Sequence, residues 1–337
     1  MYLFLHVCCL YIVDGSIVSS AVLDKRMGSP CQQDNDDDNS HGGKITIPDL
    51  PEDLWRHIHS LMPMRDAARA ACLSRAFLQF WRCYPKLTLT RHALCPQLRG
   101  NAARRINCIM RNHSGVGLKT LVLGAYDITS RYFDSWLQFA VAPGIEELRL
   151  TLHKKYNFPY SLFTDLKVRD SICHIEIVNC AFRPTTELGP FRSLANLILR
   201  YVHITSDELE CLLSNSHALE KLDLFYCNEI RFLEIPRVLQ HLSCLRIQAC
   251  RRLQVIENKA PKLSRVYFST RRNAQLLLGE ATQMKKLTMY CPYAVSYACA
   301  EVLSIMPNLE TRLRFRGGGS QYTNAAYQIP QPQAPRN

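Results

Sequence analysis

Cysteine and histidine are the residues of this sequence best suited to chemistry, because together they build metal centres and nucleophilic sites. There are 15 cysteines and 11 histidines, but no Cys-x-x-Cys pair of the kind that structural zinc sites use. His-Glu-x-x-His and Gly-x-Ser-x-Gly are also missing from the sequence. His57 and His59 are two residues apart, so they do not face each other on a helix. We expect both to be exposed to solvent or to flank a helix. The sequence predicts no catalytic residue, no metal and no cofactor.

One glycine-rich stretch has the look of a phosphate-binding loop. It runs Gly-Val-Gly-Leu-Lys-Thr over residues 115–120. A Walker loop needs glycine, lysine and serine or threonine in succession, and Leu118 interrupts that order. We therefore predict no nucleotide site here.

The positive charge of the chain is concentrated in one segment. The formal net charge is +12, and the stretch from Ala67 to Tyr126 holds ten Lys or Arg and no Asp or Glu. Such a segment suits phosphate, nucleic acid or an acidic protein surface, and an ordinary solvated linker explains it equally well. No run of 18 uninterrupted apolar residues occurs, so we expect no membrane partner.

The two ends of the chain have compositions that do not favour a packed core. An acidic, polar run follows Met27, and a Gly-Gly-Gly stretch opens a tail rich in Gln, Pro and Asn. We expect residues 1–43 to be a disordered leader or a gene-model extension, and residues 317–337 to be a disordered tail. The odd number of cysteines fits a reducing compartment, so we expect the protein in the nucleus and/or cytoplasm.

A short helical module precedes the rest of the fold. Leu50, Leu54, Ile58 and Leu61 follow one another at spacings of four, four and three, which predicts one apolar stripe on a helix. Pro63 ends that helix, and two further short helices follow up to residue 81. Three such helices bury little surface by themselves, so the module should need a partner.

A pattern of apolar-x-x-apolar-x-apolar recurs about every 24 residues from 118 to 316. Its eight occurrences begin at Leu118, Ile145, Ile172, Leu194, Leu219, Leu242, Leu263 and Met284, and a degenerate ninth begins at Leu309. The pattern resembles an irregular leucine-rich repeat array. In that family a Cys or Asn follows the strand, which makes Cys180, Cys227 and Cys250 buried structural thiols.

Each repeat should supply one strand, whose alternation turns the even positions inward and the odd positions toward a concave face. Stacked repeats then offer an extended surface for a protein target. The candidate target-binding residues are Arg149, Lys221, Asp223, Phe225, Arg246, Arg265, Tyr267, Lys286 and Tyr290.

The helical module resembles the F-box of plant F-box proteins. The resemblance rests on Leu-Pro-Glu-Asp-Leu at 50–54, on Arg-Asp-Ala-Ala at 65–68 and on Leu-Ser-Arg at 73–75, and it departs at Ala76-Phe77. It implies docking on a Skp-type adaptor and, through that adaptor, on a cullin. The adaptor-binding residues it implies are Leu50, Pro51, Leu54, Ile58, Leu61, Leu73 and Trp81.

The sequence thus predicts an α/β protein, with a three-helix F-box followed by an irregular leucine-rich-repeat solenoid whose parallel strands line a horseshoe. The expected segments are the F-box at 44–90, a basic linker at 91–117 and the repeats at 118–316. The resemblance implies a non-catalytic substrate receptor of a Skp–cullin–F-box ubiquitin ligase. Two alternatives stay open: a scaffold with a decayed F-box, and a nucleic-acid or inositol-phosphate binder that uses the basic segment.

Overall fold

The computed structural model describes residues 50–94, 102–124, 128, 130–270, 274–279 and 283–290. The chain is a mixed α/β protein that divides into two compact units between Tyr84 and Pro85. The first unit is helical, and the second is built on a parallel sheet. This is the predicted fold class.

Three short helices form the first unit, and proline and serine set their limits. They are α1 (Glu52–Leu61), α2 (Met64–Leu73) and α3 (Arg75–Arg82). Pro51 and Pro63 each lie immediately before a helix, where a missing N–H costs no hydrogen bond. Ser74 caps α3, because its side chain accepts a hydrogen bond from the Phe77 amide at 3.2 Å.

The described residues of the second unit form 14 strands, nine of which make up one parallel sheet. In this sheet the order is β1-β2-β3-β5-β7-β8-β10-β12-β14, so the chain adds its main strands one after another. Their bounds are β1 (Lys86–Leu89), β2 (Thr120–Gly124), β3 (Glu147–Thr151), β5 (His174–Val178), β7 (Asn196–Arg200), β8 (Lys221–Phe225), β10 (Cys244–Gln248), β12 (Arg265–Ser269) and β14 (Lys286–Tyr290).

The other elements connect the main strands. Two small parallel sheets pair β4 (Asn157–Phe158) with β6 (Ala181–Phe182), and β9 (Phe232–Ile235) with β11 (Val255–Asn258) and β13 (Gln275–Leu277). The helices are α4 (Arg91–Leu94), α5 (Ala102–Asn112), α6 (Phe133–Ala140), α7 (Leu166–Ser171) and α8 (Ser206–Ser214), with 3-10 turns at Ser130–Tyr132 and Tyr160–Phe163.

The register of the sheet places equivalent residues of every repeat in one row. The second and fourth residues of all nine strands are apolar and buried, from Leu87 and Leu89 to Leu287 and Met289. The first apolar residue of each predicted repeat is buried as well. The first, third and fifth residues therefore share the opposite side of the sheet, which we call the outward face. The predicted repeat pattern and its alternation are confirmed through the eighth repeat.

A left-handed residue follows four consecutive main strands. Asn179, Tyr201, Tyr226 and Ala249 have φ between 54° and 65°. Each donates its amide to the last residue of the next main strand, as Tyr226 does to the Gln248 carbonyl at 2.9 Å. The ladder thus continues one residue beyond each strand, and the backbone turn there is the same in all four repeats.

The structure also differs from the sequence-based predictions. Strand β1 lies within residues 44–90, which were predicted as F-box, and it pairs in parallel with β2. In the predicted linker, by contrast, the basic run from Arg104 to Met110 predicts a helix against the first repeat, and residues 102–112 form helix α5, which packs against α6. The five strands of the two small sheets were not predicted. The ninth repeat at Leu309 and the predicted leader and tail lie outside the described residues.

Truncation of one central side chain should show how much the sheet depends on its buried rows. Leu222 in β8 is fully buried between Leu197 and Leu245. We expect Leu222→Ala to lower the free energy of unfolding by ~2–5 kcal/mol, because it leaves a cavity. Denaturant unfolding followed by circular dichroism measures the change. The matched control, Thr151→Ala on the outward face, should leave the transition midpoint almost unchanged.

Candidate functional site

One side of the helical unit presents apolar side chains to solvent. Leu54, Ile58 and Leu61 lie on the same side of α1, and Leu61 is 70% exposed. Leu73, the last residue of α2, is 83% exposed. Pro51 is exposed too, whereas Leu50 is half-buried. Large apolar side chains grouped in this way are typical of a surface that a partner covers.

The other side of α1 is held by a buried histidine. His59 is almost completely buried, and its Nε2 lies 3.1 Å from the Ala67 carbonyl oxygen. Its ring packs 5.8–6.0 Å from the rings of Phe77, Phe80 and Tyr84. Burial lowers the pKa of His59 from its ordinary value of 6.5, and the hydrogen bond to Ala67 opposes that shift. The expectation that His59 is exposed or flanks a helix is therefore wrong, because the imidazole closes the contact between α1 and α2.

Trp81 differs from the other six residues proposed to contact the adaptor. It is only 2% exposed and stacks on Tyr84, with ring centroids 5.5 Å apart. Tyr84 in turn donates its hydroxyl to the Met62 carbonyl at 2.7 Å. The structure thus places Trp81 inside the helical unit, where its ring contributes to the buried core. Phe77, at the point where the sequence departs from the F-box pattern, packs edge-on against Trp55 at 5.8 Å.

The outward face of the sheet carries all nine predicted target-binding residues. Its first half is largely neutralised by ion pairs within the face. Arg149 donates to Glu147 at 2.6 Å, and Arg200 lies 3.5 Å from Glu176. These pairs leave little uncompensated charge on strands β3, β5 and β7.

Asp223 is the exception among the predicted outward residues. Its side chain is only 7% exposed, with Lys221 at 3.3 Å and Arg246 at 3.6 Å. Its Oδ1 accepts no hydrogen bond from the residues that the structure describes. Asp223 is thus a largely buried carboxylate that pairs with two cations of the outward face, and its direct contact with a target stays a prediction.

The last three strands of the outward face are basic and aromatic. Arg265 and Lys286 are exposed neighbours in the first row of the sheet. Tyr267 and Tyr290 lie 5.6 Å apart, and the Arg246 guanidinium lies 5.9 Å from the Tyr267 ring. These residues line a groove of about 350 Å³. Its chemistry is that of a surface for a polar partner.

Beside this face, the predicted residue Phe225 belongs to an aromatic cluster whose two tyrosines were not predicted. Tyr201 stacks on Tyr226 at 4.8 Å, and Phe225 packs edge-on against Tyr226 at 4.7 Å. The Arg251 guanidinium lies 5.9 Å from the Tyr226 ring. Tyr201 and Tyr226 occupy the left-handed position after their strands. The sequence does contain a signal for these tyrosines, because both come directly after a predicted strand.

Three cysteines that follow the main strands are buried in the repeats. Cys180, Cys227 and Cys250 are buried free thiols, as predicted. Burial raises the pKa of Cys180 to about 12, which keeps its sulfur in the unreactive thiol form. Within the described ranges no three His, Cys, Asp or Glu side chains are grouped so that they could hold a metal ion. The same ranges contain no helix long and apolar enough to cross a membrane.

Comparison with known families accounts for both units. Residues 109–317 match the family model described as At1g61320/AtMIF1, LRR domain, which covers more than half of the chain. Residues 47–87 match the model of the F-box domain. The chain belongs to the F-box/LRR-repeat family. The exposed apolar residues of α1 and α2 therefore lie within an F-box, and the outward face lies on leucine-rich repeats.

Three similar curated relatives are named for the F-box, and two of them are also named for LRR repeats. F-box/FBD/LRR-repeat protein At1g13570 from Arabidopsis thaliana is 27% identical over 190 residues, which cover 55% of this chain and 45% of the relative. F-box protein At5g03100 from the same plant is 23% identical over 199 residues, covering 59% and 62%. F-box/LRR-repeat protein At5g02910, also from Arabidopsis thaliana, is 26% identical over 240 residues, covering 63% and 50%. The chain thus spans less than two thirds of each of these three relatives.

Protonation of His59 should destabilise the F-box. Because the folded-state pKa is lowered, the unfolded chain binds the proton more tightly. The contribution of His59 to stability is therefore complete above pH 6.5 and is lost as the pH falls through the lower folded-state pKa. Two of the three tryptophans, Trp55 and Trp81, lie in the F-box. In a Trp136→Phe variant the tryptophan fluorescence therefore reports on the F-box alone, and its thermal unfolding at a series of pH values measures this loss.

His59→Phe should remove most of this pH dependence, whereas His57→Phe at an exposed position of α1 should preserve it. Identical pH profiles for the two variants would contradict the role assigned to His59.

Proposed function

We propose that this F-box/LRR-repeat protein is the substrate-recognition subunit of a Skp–cullin–F-box ubiquitin ligase. In this proposal the F-box docks on a Skp-type adaptor, which links it to a cullin, and the outward face of the repeats binds a target protein. The observation that carries the proposal is the exposure of Leu54, Ile58 and Leu61 on one side of α1, together with the exposure of Leu73 at the end of α2.

The exposure of these four side chains supports an adaptor interface on physical grounds. Each one remains in contact with water, although burial of a Leu or Ile side chain stabilises by ~1.5–3 kcal/mol. Pro51 and Leu50 extend the same end of α1. We assign the contact to these six residues, with Trp81 as the buried support.

The outward face supports target binding because eight of its nine predicted residues are at least partly exposed. Tyrosine and arginine, which are enriched at interface hot spots, recur among them. Asp223 serves the face indirectly, through its ion pairs with Lys221 and Arg246.

The proposed role requires no catalytic residue from this chain. The ligase machinery and the target would be held on one molecule, so that target lysines come close to the transferred ubiquitin. We place this function in the nucleus and/or cytoplasm, because the odd number of cysteines in the sequence fits a reducing compartment.

The basic segment supports a nucleic-acid or inositol-phosphate site less well. Arg105 is buried and donates to the Leu94 carbonyl at 2.6 Å. Lys119 pairs with Glu146 at 2.8 Å. These two cations therefore make contacts within the protein. The target-receptor proposal assigns no ligand to the basic segment.

Charged substitutions on the exposed side of α1 should abolish adaptor binding. We expect Leu54→Asp with Ile58→Asp to weaken affinity for a Skp-type adaptor at least about a hundredfold, since two carboxylates would have to lose water in the interface. Co-purification of the full chain with the adaptor, followed by calorimetric titration, measures the effect. Circular dichroism verifies that the variant is folded.

The matched control keeps both positions apolar. Leu54→Met with Ile58→Leu should retain binding within about tenfold, because the apolar area is preserved. If the folded wild-type chain bound no Skp-type adaptor, the ligase proposal would be overturned in favour of a scaffold with a decayed F-box. Full binding by the aspartate variant would overturn the assigned surface.

A further inference from the structure

Charge on the outward face is distributed unevenly between its two ends. Strands β3, β5 and β8 each contribute an outward carboxylate: Glu147, Glu176 and Asp223. Strands β10, β12 and β14 contribute three cations and no carboxylate. We call the surface formed by Arg246, Arg265, Tyr267, Lys286 and Tyr290 the basic groove.

The cations of the basic groove are poorly neutralised. Arg265 and Lys286 are exposed and form no ion pair within the described chain. Arg246 has one carboxylate in reach, that of Asp223 at 3.6 Å, and half of its side chain remains exposed. The three cations can therefore bind an anion without first losing a strong ion pair inside the protein.

The register brings these cations close together without cancelling their charge. Arg265 and Lys286 occupy the same row of neighbouring strands, which lie ~4.8 Å apart. Arg246 stands in the third row, on the strand beside Arg265. The three donors form a triangle that one short polyanionic segment can span, whereas a single small anion reaches only part of it.

The tyrosines make the groove suited to a peptide. The Tyr267 and Tyr290 rings lie 5.6 Å apart at a tilt of 49° and contribute flat apolar surface beside the charges. The groove volume of about 350 Å³ accommodates several side chains. Aromatic walls with basic donors favour an extended segment that presents carboxylates between apolar or backbone groups.

We propose that the basic groove selects the target by an acidic segment, bound in extended form across strands β10, β12 and β14. The proposal rests on the function proposed above, since it names the class of sequence that the outward face recognises. Arg265 and Lys286 each bind a carboxylate, and Arg246 binds a third while Asp223 fixes its position.

The test uses a labelled peptide of alternating glutamate and serine, with a glutamine-for-glutamate peptide as its neutral counterpart. Fluorescence anisotropy with the full chain measures both, and a labelled single-stranded DNA of similar length is measured in parallel. We expect the acidic peptide to bind at least about tenfold more tightly than the neutral one, with a loss of affinity as salt is raised.

Charge reversal locates the site. Arg265→Glu with Lys286→Glu should reduce acidic-peptide affinity at least about tenfold. Lys154→Glu with Lys155→Glu makes the same change in net charge at two exposed positions outside the groove and should leave affinity almost unchanged. Equal losses in the two variants would show a nonspecific charge effect and overturn the proposal.

The remaining outcomes separate this proposal from the ligase proposal. Equal affinity for acidic and neutral peptides, or tighter binding of the DNA through the same two cations, would overturn the acidic-segment proposal. Adaptor co-purification is measured on the same samples and should be unchanged in Arg265→Glu with Lys286→Glu. Acidic-peptide binding by a chain that binds no adaptor would support the groove and overturn only the ligase assignment.

Discussion

Burial of two apolar rows, repeated through nine parallel strands, is the constraint on which the second unit depends. Because side chains alternate along a strand, fixing the second and fourth residues inside also fixes the first, third and fifth residues outside. A slip of one residue would place Leu222 and Leu224 in water and Lys221 in the core. The outward face, with its charges and tyrosines, is thus a direct consequence of core packing.

In the helical unit, too, the packing of the buried side chains determines which side chains are left exposed. The buried side of α1 closes around His59, and Trp81 stacks on Tyr84 behind it. The remaining apolar positions then have no room inside a unit of three short helices, so they lie in solvent. The F-box match gives this exposed surface a family context, and the adaptor contact is the step that remains a proposal.

Sequence periodicity predicted the rows of the sheet because the repeat pattern states them directly, and the resemblance to leucine-rich repeats implied the burial of Cys227. It missed β1, where Tyr84 stands before Leu87 and Leu89 in the leading position that Leu, Ile or Met holds in the eight predicted repeats. It did not predict the burial of His59 and Asp223, because polarity alone suggests exposure. Their burial depends on tertiary neighbours: the Ala67 carbonyl for the imidazole, and two cations from adjacent positions for the carboxylate. Partners of that kind cannot be read from residue type or spacing.

The central claim is that separate surfaces serve the adaptor and the target. Hydrogen–deuterium exchange of the full chain, with and without a Skp-type adaptor, tests it most directly, since amide exchange reports local opening of each element. The account predicts slower exchange in α1 and α2, from Glu52 to Leu73, and unchanged exchange in strands β8 to β14. Protection of the strands without protection of α1 and α2 would contradict it.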